Sequence, residues 1–328
     1  MPHEFGPIVF LIGAGASADA GMPLVSCLTT EIREQLRLLP DINGEIRPEF
    51  PKLFDAIAHE DQEVLTNYER FFEWISLINR SQVDPFRKLI RFDLDQYLLD
   101  AAPFLAWSIK KPIWKFFSLR HNCSTYQPGY FSKLGGFLPE RSRLKVFTTN
   151  YDLCIEDACR ACGIEVVTGF HPRTGQWSPS LFRGRSPGIN LYKLHGSLNW
   201  GLSDNLTDLQ NRPLIESYPA NWDKEPELIL GPGSKLQPDD PYASLYAEFH
   251  KAIRTAKVCV AIGYSFRDEH IRQPIQQANS RGMIVIDVNP SPVGWSFSRS
   301  IKLKMGARQA FDDEEISRAI AGLHHGHS

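Results

Sequence analysis

The stretch Phe10-Leu-Ile-Gly-Ala-Gly-Ala-Ser17 decides the fold of this chain. Residues 8–12 are apolar and rich in β-branched side chains, which predicts a buried strand. Glycines follow at once, so we expect a tight turn that leads directly into a helix. A strand, a glycine turn and a helix in this order are typical of α/β folds that hold a phosphate at the helix N-terminus.

Three later stretches have the same form, in which an apolar run ends in polar side chains. They are Val146-Phe-Thr-Thr-Asn-Tyr-Asp152, Leu191-Tyr-Lys-Leu-His-Gly-Ser197 and Ala261-Ile-Gly-Tyr-Ser-Phe-Arg-Asp268. In an open parallel sheet the carboxyl ends of the strands converge on one crevice, and ligands bind there. The sequence therefore predicts that all four stretches meet at one shared site.

Short strands and helices alternate from Leu144 onward, which predicts an α/β protein with a doubly wound, mostly parallel, Rossmann-like sheet. The predicted strands are 146–148, 164–167, 191–194, 228–230, 258–262 and 284–288, and the predicted helices are 153–162, 242–255 and 311–323.

The pattern differs between residues 51 and 137, where apolar side chains recur at helical spacing and strand-like runs are missing. We therefore predict two parts. Residues 1–40 and 140–328 form the Rossmann-like domain, and residues 41–139 form an inserted helical lobe. Aromatic residues are dense in this lobe, and we interpret them as core packing rather than as a platform for stacking bases.

The 36 basic and 38 acidic residues leave a net charge of −2, which provides no overall field for recruiting nucleic acid or an anionic membrane. Direct nucleic-acid binding is not expected, and the short basic stretches 141–145 and 299–304 are interpreted as solvated faces. No apolar run approaches the length of a membrane span, and the N-terminus lacks the pattern of a secretory leader. We expect a cytoplasmic protein without a membrane segment.

The six cysteines are irregularly spaced, which predicts reduced thiols. Cys159 and Cys162 form one CxxC pair, but a zinc site needs a second pair and the sequence has none. We therefore expect buried structural thiols and no metal site.

The glycine stretch Gly13-Ala-Gly-Ala-Ser-Ala18 fits the dinucleotide fingerprint, with Ala18 at the third glycine position. A glycine triplet alone is a weak signal, and a simple tight turn is the alternative. The acidic residue expected at the end of a second strand about 20 residues later is absent, so a hydride-transferring dehydrogenase fits poorly.

Five motifs in a fixed order carry a family resemblance. They are GAGAS at 13–17, TTNYD at 148–152, KLHGS at 193–197, GYSFRD at 263–268 and VIDVN at 285–289. The series resembles the sirtuin fold and, more closely, the sirtuin-like NADase domains of bacterial phage-defence proteins, as in the Thoeris and HerA-associated systems. The resemblance spans residues 8 to 290 apart from the helical lobe.

The resemblance implies a role for particular residues. Asn150 would orient the nicotinamide ribose and the attacking water, His195 would be the catalytic histidine, and Asp152 would contact the nicotinamide amide. The residues implied to hold NAD are Gly13, Ala14, Gly15, Ser17, Thr149, Tyr151, Gly263, Ser265 and Asn289.

Two departures separate the chain from deacylating sirtuins. Between His195 and Gly263 there is one cysteine, Cys259, so the four-cysteine zinc ribbon of those enzymes cannot form. Met22-Pro-Leu-Val-Ser26 also stands where they carry Pro-Asp-Phe-Arg. These departures disfavour peptide binding and make water the expected acceptor. The loop 231–235 is interpreted either as a cover over the site or as a plain surface turn.

The chemistry of these residue types suits cleavage of NAD⁺ even without the family resemblance. Nicotinamide leaves as a neutral ring, so positive charge moves onto the ribose in the transition state. A histidine with a pKa of about 6.5 can act as a base near neutral pH, and an asparagine supplies a donor and an acceptor without adding charge. Structural alternatives remain: His195 as a satisfied core residue, and Asn-Tyr-Asp as a helix N-cap.

The leading hypothesis is an NAD⁺ glycohydrolase that consumes NAD⁺ as its substrate, needs no bound cofactor and acts in antiphage defence. We expect it to be controlled by self-assembly into a homo-oligomer or by a partner such as a HerA-type ATPase. The alternatives are protein deacylation or ADP-ribosylation, and a non-catalytic scaffold that senses NAD or ADP-ribose.

Overall fold

The computed structural model describes residues 6–40, 43–83, 94–203, 214–217, 228, 239–291 and 294–323, with the side chains of residues 82, 83 and 107 left out. The strands are β1 (Ile8–Ile12), β2 (Arg143–Thr148), β3 (Val166–Val167), β4 (Gly188–Lys193), β5 (Trp200–Leu202), β6 (Leu214–Glu216), β7 (Val258–Ile262), β8 (Ile284–Val288) and β9 (Ser300–Leu303).

Eleven α-helices lie in the described part of the chain. They are α1 (Ala14–Ala18), α2 (Val25–Gln35), α3 (Glu49–Glu60), α4 (Tyr68–Val83), α5 (Gln96–Ser108), α6 (Lys110–His121), α7 (Cys154–Ala161), α8 (Tyr242–Thr255), α9 (Glu269–Ser280), α10 (Ala307–Asp312) and α11 (Glu315–Gly322). Short 3₁₀ segments occupy Gln62–Leu65, Gly129–Phe137 and Pro179–Arg183.

Seven strands form one sheet in the order β3-β4-β2-β1-β7-β8-β9, and every pairing in it is parallel. The chain builds outward from β1 first through β2 and β4, and then in the other direction through β7, β8 and β9. This is a doubly wound α/β sheet, so the predicted fold class is confirmed. A separate antiparallel pair, β5 and β6, was not predicted.

The strand β1 shows why the sheet is buried on both faces. Phe10 and Ile12 belong to one hydrophobic core, whereas Val9 and Leu11 belong to a second one. Side chains alternate across a strand, so a fully apolar run serves two cores at once. Helices α8 and α9 cover the second core, and most of the other helices pack on the first.

Between β1 and β2 the described residues contain helices and no strand, as the helical spacing predicts. Aromatic side chains fill the interior of this region, and Phe54 packs on Phe71 with ring centroids 4.8 Å apart. The region shares its core with the sheet, since Phe137 packs edge-on against Phe10 of β1 at 5.1 Å. The division into two domains at residues 40 and 140 stays a prediction.

The basic stretch 299–304 was expected to be a solvated face. It contains the edge strand β9 instead, so that expectation is incomplete. Ile301 and Leu303 pack against the core while Lys302 is exposed, and this alternation satisfies a half-buried strand. Lysines on an edge strand also discourage pairing with other chains.

The predicted helix 311–323 is divided into α10 and α11. Glu314 lies between them with φ of +58°, a left-handed conformation that interrupts helical hydrogen bonding. Of the predicted strand 228–230 only Leu228 lies within the described residues, and it makes an isolated bridge to Gly196.

All six cysteines are free. Cys154, Cys159 and Cys259 are buried, but Cys27, Cys123 and Cys162 are exposed, so the expectation of buried thiols is wrong for half of them. No helix among the described residues combines the length and the apolar character that a bilayer crossing demands.

A polar cluster at the carboxyl end of the sheet

The strand register brings the predicted site residues to one edge. Thr148 of β2 pairs with Ile12 of β1 and with Lys193 of β4. Asn150 and His195 each lie two residues beyond this row, and neighbouring strands are about 4.8 Å apart. The two side chains therefore emerge from adjacent strand ends, as the sequence predicts.

Three more predicted residues continue this edge from β1 through β7 to β8. Gly13, Gly263 and Asn289 each follow the last residue of a strand in the paired row Ile12, Ile262 and Val288. This edge therefore runs over five neighbouring strand ends, and the strand order reverses around β1 within it, which is where ligands bind in doubly wound sheets.

Asn150 joins the turn after β1 to the end of β2. Its Nδ2 donates to the carbonyl of Gly13 at 3.0 Å and to Oγ of Ser17 at 3.0 Å. Its own backbone N–H donates to Oγ1 of Thr148 at 3.0 Å. Its Oδ1 is buried and accepts no hydrogen bond from the described part of the protein. An unpaired buried acceptor costs about 1–3 kcal/mol, so this atom is a ready acceptor for a ligand hydroxyl or a water.

The glycines allow the turns after β1 and β7 to touch, backbone against backbone. A Cβ on Gly13 would come within 2.5 Å of the Gly263 carbonyl oxygen, and one on Gly263 within 2.0 Å of the Ala16 nitrogen. Gly263 also has φ of +61°. The N–H groups of Gly13 and Gly15 donate to Ile262 and Gly263. These two amides thus hold the turns together, and the proposed contact of Gly13 and Gly15 with a pyrophosphate stays a prediction.

The side chain of Tyr151 points into the helical region. Its ring meets Phe117 edge-to-face at 6.3 Å, and its hydroxyl is hydrogen-bonded to Tyr68 of α4. Burial, followed by the proximity of Tyr68, raises the pKa of Tyr151 well above its ordinary value, so the phenol stays neutral. Its backbone carbonyl accepts from Leu198 at 3.0 Å and from Oγ of Ser197 at 3.4 Å, which ties the loops after β2 and β4 together.

Asp152 lies one residue before Leu153, the N-cap residue of α7, and Leu153 makes no side-chain cap bond. Asp152 is 6 % exposed, and its Oδ1 accepts from the N–H of Cys154 at 3.1 Å at the start of α7. This oxygen therefore braces the first turn of the helix from outside the cap position.

Lys193 supports the loop after β2 from below, a role that the sequence analysis missed. Its Nζ pairs with Oε1 of Glu156 at 2.9 Å, and the two side chains are 0 % and 2 % exposed. The same Nζ donates to the carbonyls of Tyr151 and Asp152. A lysine inside an apolar strand motif is the signal that could have revealed this buried pair.

His195 contacts a residue that was also not predicted, Asp268. Its Nε2 lies 3.2 Å from Oδ2 of Asp268, and the two side chains are 3 % and 4 % exposed. β2 and β1 separate β4 from β7 in the sheet, so the loop 263–268 arches back across two strand ends to reach His195. The signal in the sequence is the final aspartate of GYSFRD, directly before a helix.

The arching loop 263–268 carries backbone strain. Phe266 has φ of +57°, a conformation that costs an aromatic residue roughly 1–3 kcal/mol. Its ring is buried against Tyr264 at 5.1 Å and Phe297 at 4.9 Å, and its carbonyl accepts from Nη1 of Arg272 at 3.0 Å. Packing therefore fixes a strained loop, in which the predicted residue Ser265 is exposed.

Two buried tyrosine hydroxyls near this loop have no hydrogen-bond partner in the described structure. They belong to Tyr246 of α8 and Tyr264. Burial raises the pKa of both phenols, and the charge of Asp268 is the next cause for each of them. Like Oδ1 of Asn150, these hydroxyls are polar atoms that a bound ligand or water would satisfy.

The remaining predicted residues brace the crevice. Nδ2 of Asn289 donates to Oδ1 of Asp287 at 2.5 Å and to the Tyr264 carbonyl at 3.3 Å. The Thr149 N–H donates to Ile12 at 3.2 Å, and Ala14 is half-buried at the turn. The predicted cover loop 231–235 lies outside the described residues. Across the ranges that are described, no three His, Cys, Asp or Glu side chains converge as a metal site would require.

Part of the chain is similar to a known family of domains. A family model described as a SIR2-like domain matches residues 144–291, from β2 to just beyond β8. This segment contains Asn150, Asp152, His195 and Asp268. Residues 144–291 are thus similar to SIR2-like domains, in agreement with the sirtuin resemblance, and the phage-defence subtype stays a prediction. No curated protein matches the sequence.

Several solved Sir2 structures align with most of this chain at TM-scores below 0.5. A Sir2 homolog in complex with NAD is 16 % identical, covering 95 % of this chain and 90 % of its own, with a TM-score of 0.49. A mutant Sir2 homologue in complex with 2′-O-acetyl ADP ribose is 17 % identical over 95 % and 92 %, with a TM-score of 0.48. Sir2Tm bound to a propionylated peptide is 11 % identical over 96 % and 94 %, with a TM-score of 0.44.

Proposed function

We propose that this protein is an NAD⁺ glycohydrolase, which converts NAD⁺ and water to nicotinamide and ADP-ribose. The observation that carries the proposal is the position of Asn150 and His195, each two residues beyond the paired ends of adjacent strands, with the Asn150 carboxamide oxygen buried and without a hydrogen-bond partner in the described structure. The SIR2-like domain match over 144–291, which includes both residues, supports it.

The proposed chemistry needs little more than positioning. Cleavage moves positive charge from the pyridinium ring to the ribose, so the enzyme gains by placing polar atoms beside the anomeric carbon. Oδ1 of Asn150 would accept a hydrogen bond from the attacking water or from a ribose hydroxyl. His195 would accept the proton that this group loses, and the carboxylate of Asp152 would orient the nicotinamide amide.

NAD⁺ would lie along the crevice from His195 to Asn289. Ala14 and Gly15 are half-buried and would form the surface of the β1 turn that faces the pyrophosphate. The turn at Gly263 and Ser265, together with Asn289, would meet the adenosine half. In this arrangement NAD⁺ is the substrate and no other cofactor is required.

Water is the proposed acceptor rather than an acyl-lysine. The only cysteine between His195 and Gly263 is Cys259, which is buried inside β7, so this chain has no cysteines with which to build a zinc ribbon there. Deacylation and ADP-ribosylation therefore rank second.

The biological setting that we propose is bacterial antiphage defence in the cytoplasm. Depletion of NAD⁺ harms the cell, so activity has to wait for a signal. We propose that assembly into a homo-oligomer, or binding of a partner such as a HerA-type ATPase, supplies it. This part of the proposal rests on the order of the sequence motifs.

The test is to incubate the purified chain with NAD⁺, alone and together with the product of its neighbouring gene, and to follow nicotinamide and ADP-ribose by chromatography. We expect both products from the wild type and none from Asn150→Ala or His195→Ala. His59→Ala, which changes an exposed histidine of α3, is the matched control and should match the wild type.

Three results would argue against hydrolysis. Unchanged NAD⁺ under every condition, with the wild type as inert as His195→Ala, would end the proposal. Consumption only with an acyl-lysine peptide would favour deacylation. Binding by calorimetry without turnover, together with a change in assembly size, would favour the sensing scaffold.

A further inference from the structure

The pair formed by His195 and Asp268 goes beyond the residues that the proposed function uses. The Nε2–Oδ2 distance is 3.2 Å and both side chains are buried. A carboxylate only accepts hydrogen bonds, so in this pair Nε2 of His195 carries a proton. The other ring nitrogen, Nδ1, is then the basic one in the neutral ring.

Asp268 is itself held firmly. Its Oδ1 accepts from the His270 N–H at 3.0 Å, which caps the start of α9, and its backbone carbonyl accepts from the Arg272 N–H at 2.9 Å. The second oxygen, Oδ2, is therefore presented to His195 from the rigid beginning of a helix.

A helix cap alone does not explain this arrangement. A capping aspartate uses one oxygen and is commonly exposed, whereas the side chain of Asp268 is 4 % exposed, and burial of a carboxylate is unfavourable unless it is compensated. The strained backbone at Phe266 brings the loop across two strand ends to make this contact. Strain that packing maintains at a buried polar pair is typical of functional sites.

The titratable and charged groups around the pair come from several elements. Tyr246 comes from α8 and Tyr264 from the arching loop itself, and the charge of Asp268 acts on both. Glu69 of α4 also acts on both tyrosines, and Arg272 of α9 acts on Tyr264 in the opposite sense. Asp268 contacts His195 directly.

We propose that Asp268 is the positioning residue of His195: its carboxylate fixes the ring and its tautomer and stabilises the imidazolium. This inference rests on the proposed function, since it concerns the base of that reaction. When Nδ1 takes a proton from water or from a ribose hydroxyl, Asp268 stays ionised and pairs with the charged ring.

The test variant is Asp268→Asn, because asparagine is as good a helix cap as aspartate and the fold should be retained. We expect kcat for nicotinamide release to fall about 100- to 10,000-fold, with KM for NAD⁺ changing by less than about threefold. The acid limb of the kcat profile should move to lower pH by about one unit or more, since an imidazole without a carboxylate is less basic.

Asp240→Asn is the matched control, because the exposed Asp240 also accepts from a backbone N–H in the first turn of a helix, that of Ser244 at 3.1 Å. It should leave kcat and the pH profile unchanged. Asp268→Glu restores the charge and should recover part of the activity and of the original pH profile. A merely structural role for Asp268 would move none of these pH-dependent readouts.

A second measurement does not depend on turnover. Long-range ¹H–¹⁵N NMR of the free protein, with the His195 signals assigned from His195→Ala, reports the tautomer and the pKa of the ring. We expect the Nε2–H tautomer in the wild type and a titration at lower pH in Asp268→Asn.

The two measurements separate the possible failures. If NAD⁺ is not cleaved but the NMR result is as expected, the proposed function is wrong and the pairing stands. If NAD⁺ is cleaved while Asp268→Asn matches the wild type in kcat and in His195 titration, the positioning role is overturned and the glycohydrolase survives.

Discussion

The loop after β2 and the loop after β7 end at the same crevice but are held by different means. The β2 loop is held by buried charge, because Lys193 and Glu156 form an ion pair next to it and neither side chain is more than 2 % exposed. The β7 loop rests on packing, with a left-handed Phe266 and a glycine turn pressed against the turn after β1.

In both loops, the polar groups that hold the structure differ from the polar atoms that can contact a ligand. Most polar groups of both loops bond to the protein itself, and two buried side-chain atoms of these loops have no hydrogen-bond partner in the described structure. These are Oδ1 of Asn150 from the first loop and the Tyr264 hydroxyl from the second. We infer that ligand contacts fall to such unpaired atoms, and that the surrounding motif residues hold them in place.

Gly263→Ala should have the largest effect, because it attacks the β7 loop at its tightest contact. A Cβ there meets the Ala16 nitrogen at 2.0 Å in a left-handed backbone, so we expect a loss of about 3 kcal/mol or more in unfolding free energy. Urea denaturation measures this. Gly136→Ala is the control, since nothing lies within 4 Å of its Cβ position, and equal stability of the two variants would contradict the packing account.

Lys193→Met should come next, because it leaves Glu156 buried without its partner beneath the β2 loop. Removal of one member of a buried pair costs about 3–5 kcal/mol. The control is Lys145→Met, which breaks a half-exposed pair with Glu248 at 3.2 Å and should cost about 1 kcal/mol or less. Similar shifts of the urea midpoint for both lysine variants would show that the β2 loop does not depend on the buried charge.

Asn150→Ala should affect stability modestly and activity severely. The substitution removes two hydrogen bonds of Nδ2 along with the unpaired Oδ1, so we expect about 1–2 kcal/mol of destabilisation and loss of detectable nicotinamide release. Asn122→Ala, at an exposed asparagine that bonds to Ser118 at 2.9 Å, is the control. Activity in Asn150→Ala comparable to that of the control would remove the central role of this loop.

Asp287→Asn should have the smallest effect, and it depends on pH. Burial raises the pKa of Asp287 above its usual 3.8, which means that the folded state favours the protonated form. Wild-type stability therefore declines as pH rises from the unfolded pKa through the raised folded pKa. Asparagine does not titrate. Across this window the unfolding free energy of the variant should therefore rise relative to that of the wild type by about 1 kcal/mol or less, and the difference should stay constant at higher pH.

The control for the pH effect is Asp312→Asn, which changes an exposed carboxylate on α10. Its stability should follow that of the wild type at every pH. If the variant Asp287→Asn becomes less stable relative to the wild type as pH rises, the charged form of Asp287 favours folding. The hydrogen bonds from Asp287 through Asn289 to Tyr264 would then depend on that charge.

Local patterns predicted the parts of the fold that depend on local sequence. The apolar runs at 258–262 and 284–288 are strands with these bounds, and 242–255 is a helix from end to end. The strand β9 was missed because its basic residues suggested a solvated face, although every second side chain packs on the core. The break at Glu314 was missed because no glycine or proline marks it.

The candidate site was predictable where each residue acts at its own strand end. Asn150 and His195 follow apolar runs, and register alone makes them neighbours. The pairing of His195 with Asp268 and that of Lys193 with Glu156 join residues that are distant in sequence, so no local pattern indicates them. The glycines of the first motif have their steric partner 248 residues later, from Gly15 to Gly263, which the motif itself cannot show.

The most direct test of the account is a crystal structure of His195→Ala with NAD⁺ bound. We expect NAD⁺ to lie along the carboxyl edge of the sheet. The nicotinamide ribose should be within hydrogen-bonding distance of Oδ1 of Asn150, and the anomeric carbon should face the space left by the imidazole. NAD⁺ bound away from the ends of β2 and β4, or bound there with its nicotinamide turned away from Asn150, would contradict it.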